Sequence, residues 1–350
     1  MNSISLAGRS IGTNEPVFII AEAGVNHNGS LKLAKEMVIR AKEAGADCVK
    51  FQTFKAERVV TKNASKAAYQ LETTPTTESQ LEMLKKLELS LADYVEIITV
   101  CRQNGIIFIS TPYSPEDVDF LAKLSVPAFK IASGQIVEPA FLEYVAGKSL
   151  PVLLSTGMAT LEEVGAAVKS IQETGNNNLV LLQCSTNYPT ISEDVNLRAM
   201  TVMERAFGFN VGYSDHTQSE VACIASVALG ACVIEKHFTL DKSLPGPDHS
   251  CSADPSEFRA LVQKIHETEK ILGSGRKEPT EAEKRNMPGM RRSIVSKQPI
   301  KAVTVITREL LEFKRPATGI RPELLGDVIG STARIDIPED VLIAWGDLLK

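Results

Sequence analysis

VFIIAEAGVNHNGSLKLAKEMVIRAKEAGADCVKFQT, residues 17–53, decides the fold. Its first run, VFIIAE, is apolar and β-branched and halts at a carboxylate, Glu22, followed by the turn-forming Asn-His-Asn-Gly. From Leu31 to Ala46 apolar residues recur at helical spacing, and CVKFQT then opens a second β-like run. The change of period from two to 3.6 and back predicts strand, helix, strand. Outward from this unit the same alternation continues through IIFIST, AFKIAS, PVLLST, LVLLQC, NVGYSD and VIEKHF. Between them lie helical patterns such as residues 160–175, where Thr160 and Glu163 have capping-box spacing and Gly175 is a helix stop. Eight strand-helix pairs by about residue 272 predict a (β/α)8 TIM barrel over residues 1–272, in preference to a doubly wound open sheet. Periodicity lapses in residues 273–290, a charged, Gly- and Pro-containing stretch read as a linker, and residues 291–350 hold brief β-like pieces that suggest a small second domain.

Bulk properties narrow the function classes. With 23% charged residues, 43% hydrophobic residues and a net charge of -5, the chain is neither disordered nor basic enough to suggest nucleic acid as a partner. No apolar run approaches the roughly 20 residues needed to cross a bilayer, and the N-terminus has no basic-then-apolar leader, so a cytoplasmic protein without a membrane partner is expected. The six cysteines include no C-x-x-C pair and are expected to be buried and reduced.

In a barrel of this type chemistry gathers at the C-terminal ends of the strands. Here every run delivers a polar group to that end: Glu22; Lys50 and Gln52; Ser110 and Thr111; Lys130 and Ser133; Ser155 and Thr156; Cys184, Ser185 and Thr186; Asp215 and His216; Glu235 and His237. Lys50 and Lys130 interrupt apolar runs, where an amine needs an anionic partner. That partner is either an internal carboxylate, Glu22 or Glu235, or an incoming phosphate or carboxylate, which we favour given the surrounding hydroxyls. His216 and His237 on neighbouring strands suit a shared divalent metal, with Asp215 and Glu235 available to orient the imidazoles. Two imidazoles among oxygen ligands fit open Mn²⁺ or Mg²⁺ coordination better than closed zinc. Asp248, in the Gly/Pro-rich LPGPDHSCS after strand eight, and Tyr188, in QCSTNYPT after strand six, are placed to close the mouth.

The stretches IAEAGVNHNGS, VKFQT, IFISTPYS, FKIASGQ, LLSTGMA, QCSTNYPT, GYSDHT, EKHFT and GPDHSCS, with FKRPATGI near the C-terminus, closely resemble the bacterial sialic acid synthase family. The resemblance implies a metal-dependent barrel followed by a small antifreeze-like (SAF, β-clip type) domain. It implies an enzyme that joins phosphoenolpyruvate to N-acetylmannosamine, or to a 2,4-diacetamido-6-deoxy sugar as in legionaminic acid synthases. It implies metal binding by His216 and His237, a phosphoenolpyruvate site of Lys50, Thr111, Lys130, Ser133, Ser155, Ser185 and Thr186, and sugar contacts from Glu22, Gln52, Tyr188 and Asp248. It further implies a homodimer that exchanges its antifreeze-like domains, Arg315 reaching the other subunit's site. One position departs from the family: Gln135 stands where a glutamate is assigned to the attacking water, and Gln orients water but accepts no proton at neutral pH. Two other classes compete: a Schiff-base aldolase, disfavoured because strand six lacks a lysine, and a non-catalytic carbohydrate-binding protein.

Overall fold

Eight parallel strands close into a barrel in sequence order: β1 (Phe18–Gly24), β2 (Cys48–Thr53), β3 (Ile107–Pro112), β4 (Phe129–Ile131), β5 (Val152–Ser155), β6 (Leu179–Gln183), β7 (Asn210–Asp215) and β8 (Val233–His237). β8 pairs with β1, bringing His237 opposite Glu22. The computed structural model describes residues 3–349. Their contacts divide them into two units, the barrel up to Gly273 and a second unit from Ser274 onward.

A helix follows each strand: α1 (Leu31–Glu43), α2 (Leu91–Asn104), α3 (Pro115–Lys123), α4 (Pro139–Ala146), α5 (Leu161–Glu173), α6 (Arg198–Phe207), α7 (Val221–Ala228) and α8 (Pro255–Leu272). Local chemistry sets their ends. In α1 the Ser30 side chain accepts from the Leu33 amide, and Ala34, Met37, Val38 and Ala41, spaced three and four apart, form its buried stripe. α8 starts at Asp254 with a reciprocal Glu257 capping box and a proline in its first turn, and stops at Gly273, whose φ of 62° suits glycine. Between β2 and α2 runs a long excursion with three short helices, Ala56–Val59, Ala68–Thr73 and Gln80–Lys86. Sequence periodicity did not single it out.

Alternation along the strands sorts two layers of core. Ile19, Ala21, Val49, Phe51 and Phe108 face outward and pack with helix residues such as Met37, Ile97 and Phe258. Phe18, Ile20, Cys48, Ile109, Leu153, Val180, Leu182 and Val233 fill the barrel interior. Gly212 is required in that crowded interior, because a Cβ there would lie 2.6 Å from the Val233 carbonyl oxygen and 2.7 Å from Leu182 Cδ2. Ile4, Leu6 and Ile11 join the same interior cluster from an antiparallel hairpin, Ile4–Leu6 with Arg9–Ile11, which plugs the N-terminal end. Three-residue strands are too short for periodicity to reveal, so the plug was not foreseen.

The second unit holds two antiparallel ladders, β9 (Ser293–Ser296) with β10 (Leu311–Lys314) and β11 (Thr332–Ala333) with β12 (Leu348–Leu349). Its own core includes Ile294, Ile306, Ile320, Val328 and Ile343. Part of the stretch read as linker is a helix, α9 (Glu281–Met290), N-capped by Thr280 in a capping box with Glu283. Sequence inspection passed over it because it has no buried residue and therefore no apolar stripe. All six cysteines are free and buried, and among the described residues no helix is long and apolar enough to cross a membrane.

Candidate active site

The layer of inward side chains above the apolar interior is charged. Lys50 Nζ lies 2.9 Å from Glu22 Oε2 and 3.7 Å from Glu235 Oε1, and donates to Thr111 Oγ1 at 3.1 Å. Lys130 Nζ donates to Ser155 Oγ and lies 3.6 Å from Glu235 Oε1, which also accepts from Ser214 Oγ at 3.0 Å. The internal ion pairs weighed as an alternative for these lysines are therefore formed. Four charges of balanced sign occupy one buried layer, and the lysine side chains are only 4% exposed. Burial disfavours the ammonium of Lys50, but Glu22 and Glu235 outweigh it and raise the pKa. Lys130 is shifted downward, since burial exceeds the attraction of Glu235. Burial raises Glu22 against the pull of Lys50, whereas at Glu235 burial is outweighed by Lys130 and Lys50 and the net shift is downward.

This layer floors a cavity of about 130 Å³, also lined by Ser133, Cys184, Thr186, Tyr188, His216 and His237. Gly157 must be glycine here: a Cβ would approach Ser133 Oγ and Thr186 Cγ2 to 2.8 Å, and the Gly157 amide donates to Ser133 Oγ at 3.0 Å. A second cavity of about 210 Å³ shares Gln52, Tyr113, Tyr188 and His237 with the first and extends outward to the excursion after β2 and to Asp248. Gln52 Nε2 donates to Glu22 Oε1 at 3.2 Å, and the Tyr113 hydroxyl donates to Gln52 Oε1 at 3.3 Å. Tyr113 was missed by the sequence reading, although it follows β3 directly. A larger cavity, about 820 Å³, lies instead between residues 12–17 and the end of α8, away from the charged layer.

His216 and His237 lie with ring centroids 5.4 Å apart, and Tyr188 covers both, at 4.1 Å and 5.6 Å. Their anticipated acidic partners are corrected by the structure. Asp215 faces the opposite side of β7 and pairs at 2.6 Å with Lys236, and Glu235 serves the lysines. The His216 Nδ1 hydrogen donates instead to the Ser185 carbonyl at 2.6 Å, which leaves Nε2 for a ligand, and His237 Nδ1 faces Asp248 Oδ2 at 3.9 Å. Burial lowers the pKa of both imidazoles, well below the usual range for His237, where the neighbouring His216 adds to it. Burial and then Glu22 push Asp248 up to about 7.

These residues fit a divalent cation. His237 Nδ1 and Asp248 Oδ1 are buried polar atoms without a hydrogen-bond partner, and both imidazoles are held neutral, the ligating form. No cluster of three or more His, Cys, Asp or Glu in metal-binding positions exists among the described residues, so a cation here would depend on substrate or water oxygens as well.

Thr111, Ser133, Ser155 and Thr186 line the inner cavity, whereas Ser185 and Gln135 do not. The Ser185 hydroxyl donates to the Asp194 carbonyl at 2.7 Å and lines neither cavity, because the chain leaves β6 before it; its carbonyl, holding His216, is the functional atom. Gln135 ends a 3-10 turn after β4, is buried, and also lines neither cavity. Arg315 belongs to the second unit, where it is exposed and its Nε donates to the Met290 carbonyl at 3.0 Å.

A parallel (β/α)8 barrel with paired lysines and two histidines at its C-terminal mouth, joined to a small β-rich unit, defines a barrel enzyme for an anionic substrate. The chain belongs to the NeuB family, which matches residues 37–277, and residues 291–349 match the SAF domain. It is 45% identical to an N,N'-diacetyllegionaminic acid synthase of Legionella pneumophila, over 95% of each chain. It is 36% identical to the human N-acetylneuraminate-9-phosphate synthase, over 95% of this chain and 93% of that one. Among solved structures, an N-acetylneuraminic acid synthetase from Leptospira borgpetersenii in complex with citrate superposes with a TM-score of 0.74 at 34% identity, covering 81% of this chain and 95% of that one.

Proposed function

We propose that the barrel mouth condenses phosphoenolpyruvate with an acylamino sugar of the mannosamine type, giving a nonulosonic acid and inorganic phosphate. The observation that carries this reading is the pair of joined cavities: an inner one floored by Lys50 and Lys130 and an outer one of amides, phenols and apolar groups, meeting at Tyr188 and His237. C3 of phosphoenolpyruvate bonds to the aldehyde carbon of the open-chain sugar while the aldehyde oxygen takes up a proton. Water adds its oxygen to the cationic C2, losing a proton, and the C2–O bond to phosphate then breaks as the new C2 hydroxyl becomes the ketone and its proton passes to the departing phosphate. Lys50 and Lys130, with Thr111, Ser133, Ser155 and Thr186, would hold the phosphate and carboxylate; a charged site prepared in advance needs no reorganisation when the leaving group develops charge. Glu22 and Gln52 would bind sugar hydroxyls where the cavities join, with Tyr188 and Asp248 beside them. Gln135 carries no step in this scheme.

His216 and His237 would hold Mn²⁺ or Mg²⁺, whose chemistry here is polarisation of the aldehyde oxygen. His237→Ala should remove both tight Mn²⁺ binding, read by calorimetry without substrate, and phosphate release; full retention of metal binding would discard the assignment. We also read the protein as a homodimer whose second units are exchanged, Arg315 of the partner subunit completing each sugar site. The decisive assay is phosphate release from phosphoenolpyruvate with Mn²⁺ and either N-acetylmannosamine or a 2,4-diacetamido-2,4,6-trideoxy sugar. Release that depends on the sugar is expected, and silence with both would end the proposal.

A further inference from the structure

His216 and His237 stand beyond the backbone pairing of their own two strands. The ladder between β7 and β8 has its last rung at Asp215 and Lys236, and each imidazole belongs to the next residue. Main-chain hydrogen bonds between β7 and β8 therefore do not set the gap between the rings. Side chains at that last rung do. Alternation turns Asp215 and Lys236 away from the mouth, towards the layer shared with the helices, where Tyr213 and Cys223 of α7 are core residues. Lys236 Nζ donates across the strands to Asp215 Oδ2 at 2.6 Å and to the Thr217 carbonyl at 2.8 Å, with the Ser219 carbonyl at 3.5 Å. Asp215 Oδ1 accepts from the Thr217 amide at 2.8 Å and from the Tyr213 hydroxyl at 3.0 Å, and Oδ2 accepts from the Cys223 thiol at 3.1 Å. Thr217 Oγ1 donates to the Ser219 carbonyl at 2.8 Å. One ammonium and one carboxylate thus tie the two strand ends together and close the turn of residues 217–219 directly after His216.

Both charged groups are buried, and an ion pair this deep is often no more stabilising than well-packed apolar residues of the same volume. Its distinctive contribution is geometric, because strands and turn fit together in one way only. The His216 ring already takes its rotation from the Ser185 carbonyl, so Asp215 and Lys236 have no imidazole to orient. What they hold is spacing, the 5.4 Å between ring centroids. Resting on the proposed function, we infer that Asp215 and Lys236 are positioning residues: their pairing on the outside of the barrel sets the separation of His216 and His237 on the inside, and with it the affinity for a divalent cation.

The test is Mn²⁺ calorimetry without substrate, beside urea midpoints and KM for phosphoenolpyruvate at saturating Mn²⁺. Lys236→Met combined with Asp215→Asn replaces the pair by neutral groups of similar size and leaves no unmatched charge. This double variant should bind Mn²⁺ roughly 10- to 100-fold more weakly than the wild type, the usual effect of disturbing what supports metal ligands, with KM for phosphoenolpyruvate unmoved. Lys236→Arg, which keeps a cation opposite Asp215, should recover most of the affinity. A merely structural pair would instead lower the urea midpoint and leave the folded variant's Mn²⁺ affinity intact. If the double variant does not fold, Thr217→Val decides: it cuts one link of the turn at nearly constant volume and should weaken Mn²⁺ binding several-fold. Wild-type affinity in the folded variant overturns the inference while leaving the metal assignment standing. A wild-type protein that binds no Mn²⁺ removes the assignment and the inference together.

Discussion

At Lys50 and Lys130 the protein keeps two ammonium groups inside a barrel by giving them two glutamates and a ring of hydroxyls. Removing one member leaves its partner charge buried and unmatched, so effects on stability and on function are expected together. Lys130→Ala should raise KM for phosphoenolpyruvate by one to two orders of magnitude, the loss of about 1.5–3 kcal/mol for a hydrogen bond to a charged group. KM for the sugar should change far less; equal effects on both substrates would contradict an anion-binding role. His27 makes a separate prediction about acid stability. It is buried, its Nδ1 accepts from the Gly29 amide at 3.0 Å, and burial, against the pull of Asp93, lowers its pKa from 6.5 to about 4. Between those values the unfolded chain binds more protons than the folded one. The stabilisation is therefore complete above pH 6.5 and is lost as pH falls towards 4, to a total of roughly 3 kcal/mol. Urea melts from pH 7.5 to 4 should show that slope, and His27→Asn, which retains an acceptor for Gly29, should flatten it. An identical slope in the variant would place the acid sensitivity elsewhere.

At the scale of elements, the barrel strands were legible because alternation is regular in a parallel sheet and each strand ended in polar residues. The same alternation separates Asp215 from His216, and treating sequence neighbours as spatial ones produced the mistaken orienting role for Asp215. Ser185 and Gln135 entered the expected site through the family resemblance; the chain has turned away from the strand ends at both positions, and neither lines either cavity. The excursion after β2 was invisible for a different reason: its helices span four to seven residues, fewer than the two turns a periodic signal needs. The hairpin plug is equally short, yet it is built into the interior core. Leu6 is fully buried there, so Leu6→Ala should cost about 2–5 kcal/mol, read as a lower urea midpoint. Because the plug lies at the opposite end from the mouth, KM for phosphoenolpyruvate should be unaffected. An unchanged midpoint would mean that the barrel closes without it.

At the scale of the whole molecule the proposed exchange of second units makes a prediction no single-chain variant can. At phosphoenolpyruvate well below the raised KM, Lys130→Ala and Arg315→Ala should each leave a site nearly silent, but in the proposed exchanged dimer they would silence it from different chains. Mixing the two impaired proteins at that low phosphoenolpyruvate concentration, under conditions that permit subunit exchange, should restore about one site in four. Failure to restore activity despite demonstrated exchange would mean that each arginine serves its own chain or none.

On the proposed function, the paired charges of the inner cavity would also govern what happens between turnovers. Glu22 and Glu235 are tethered counter-ions for Lys50 and Lys130, so an arriving anion meets lysines that are already satisfied. Chloride, with one diffuse charge and no hydrogen-bond directionality, gains little by displacing a carboxylate fixed in place. Phosphoenolpyruvate, with a phosphate and a carboxylate on one rigid frame, can engage both lysines and the hydroxyls at once. After cleavage the free phosphate no longer has that frame, and the glutamates are positioned to reclaim the lysines. If phosphoenolpyruvate binds there as proposed, the barrel would set a threshold of charge and shape for occupancy, resisting background salt and clearing its own product by internal competition.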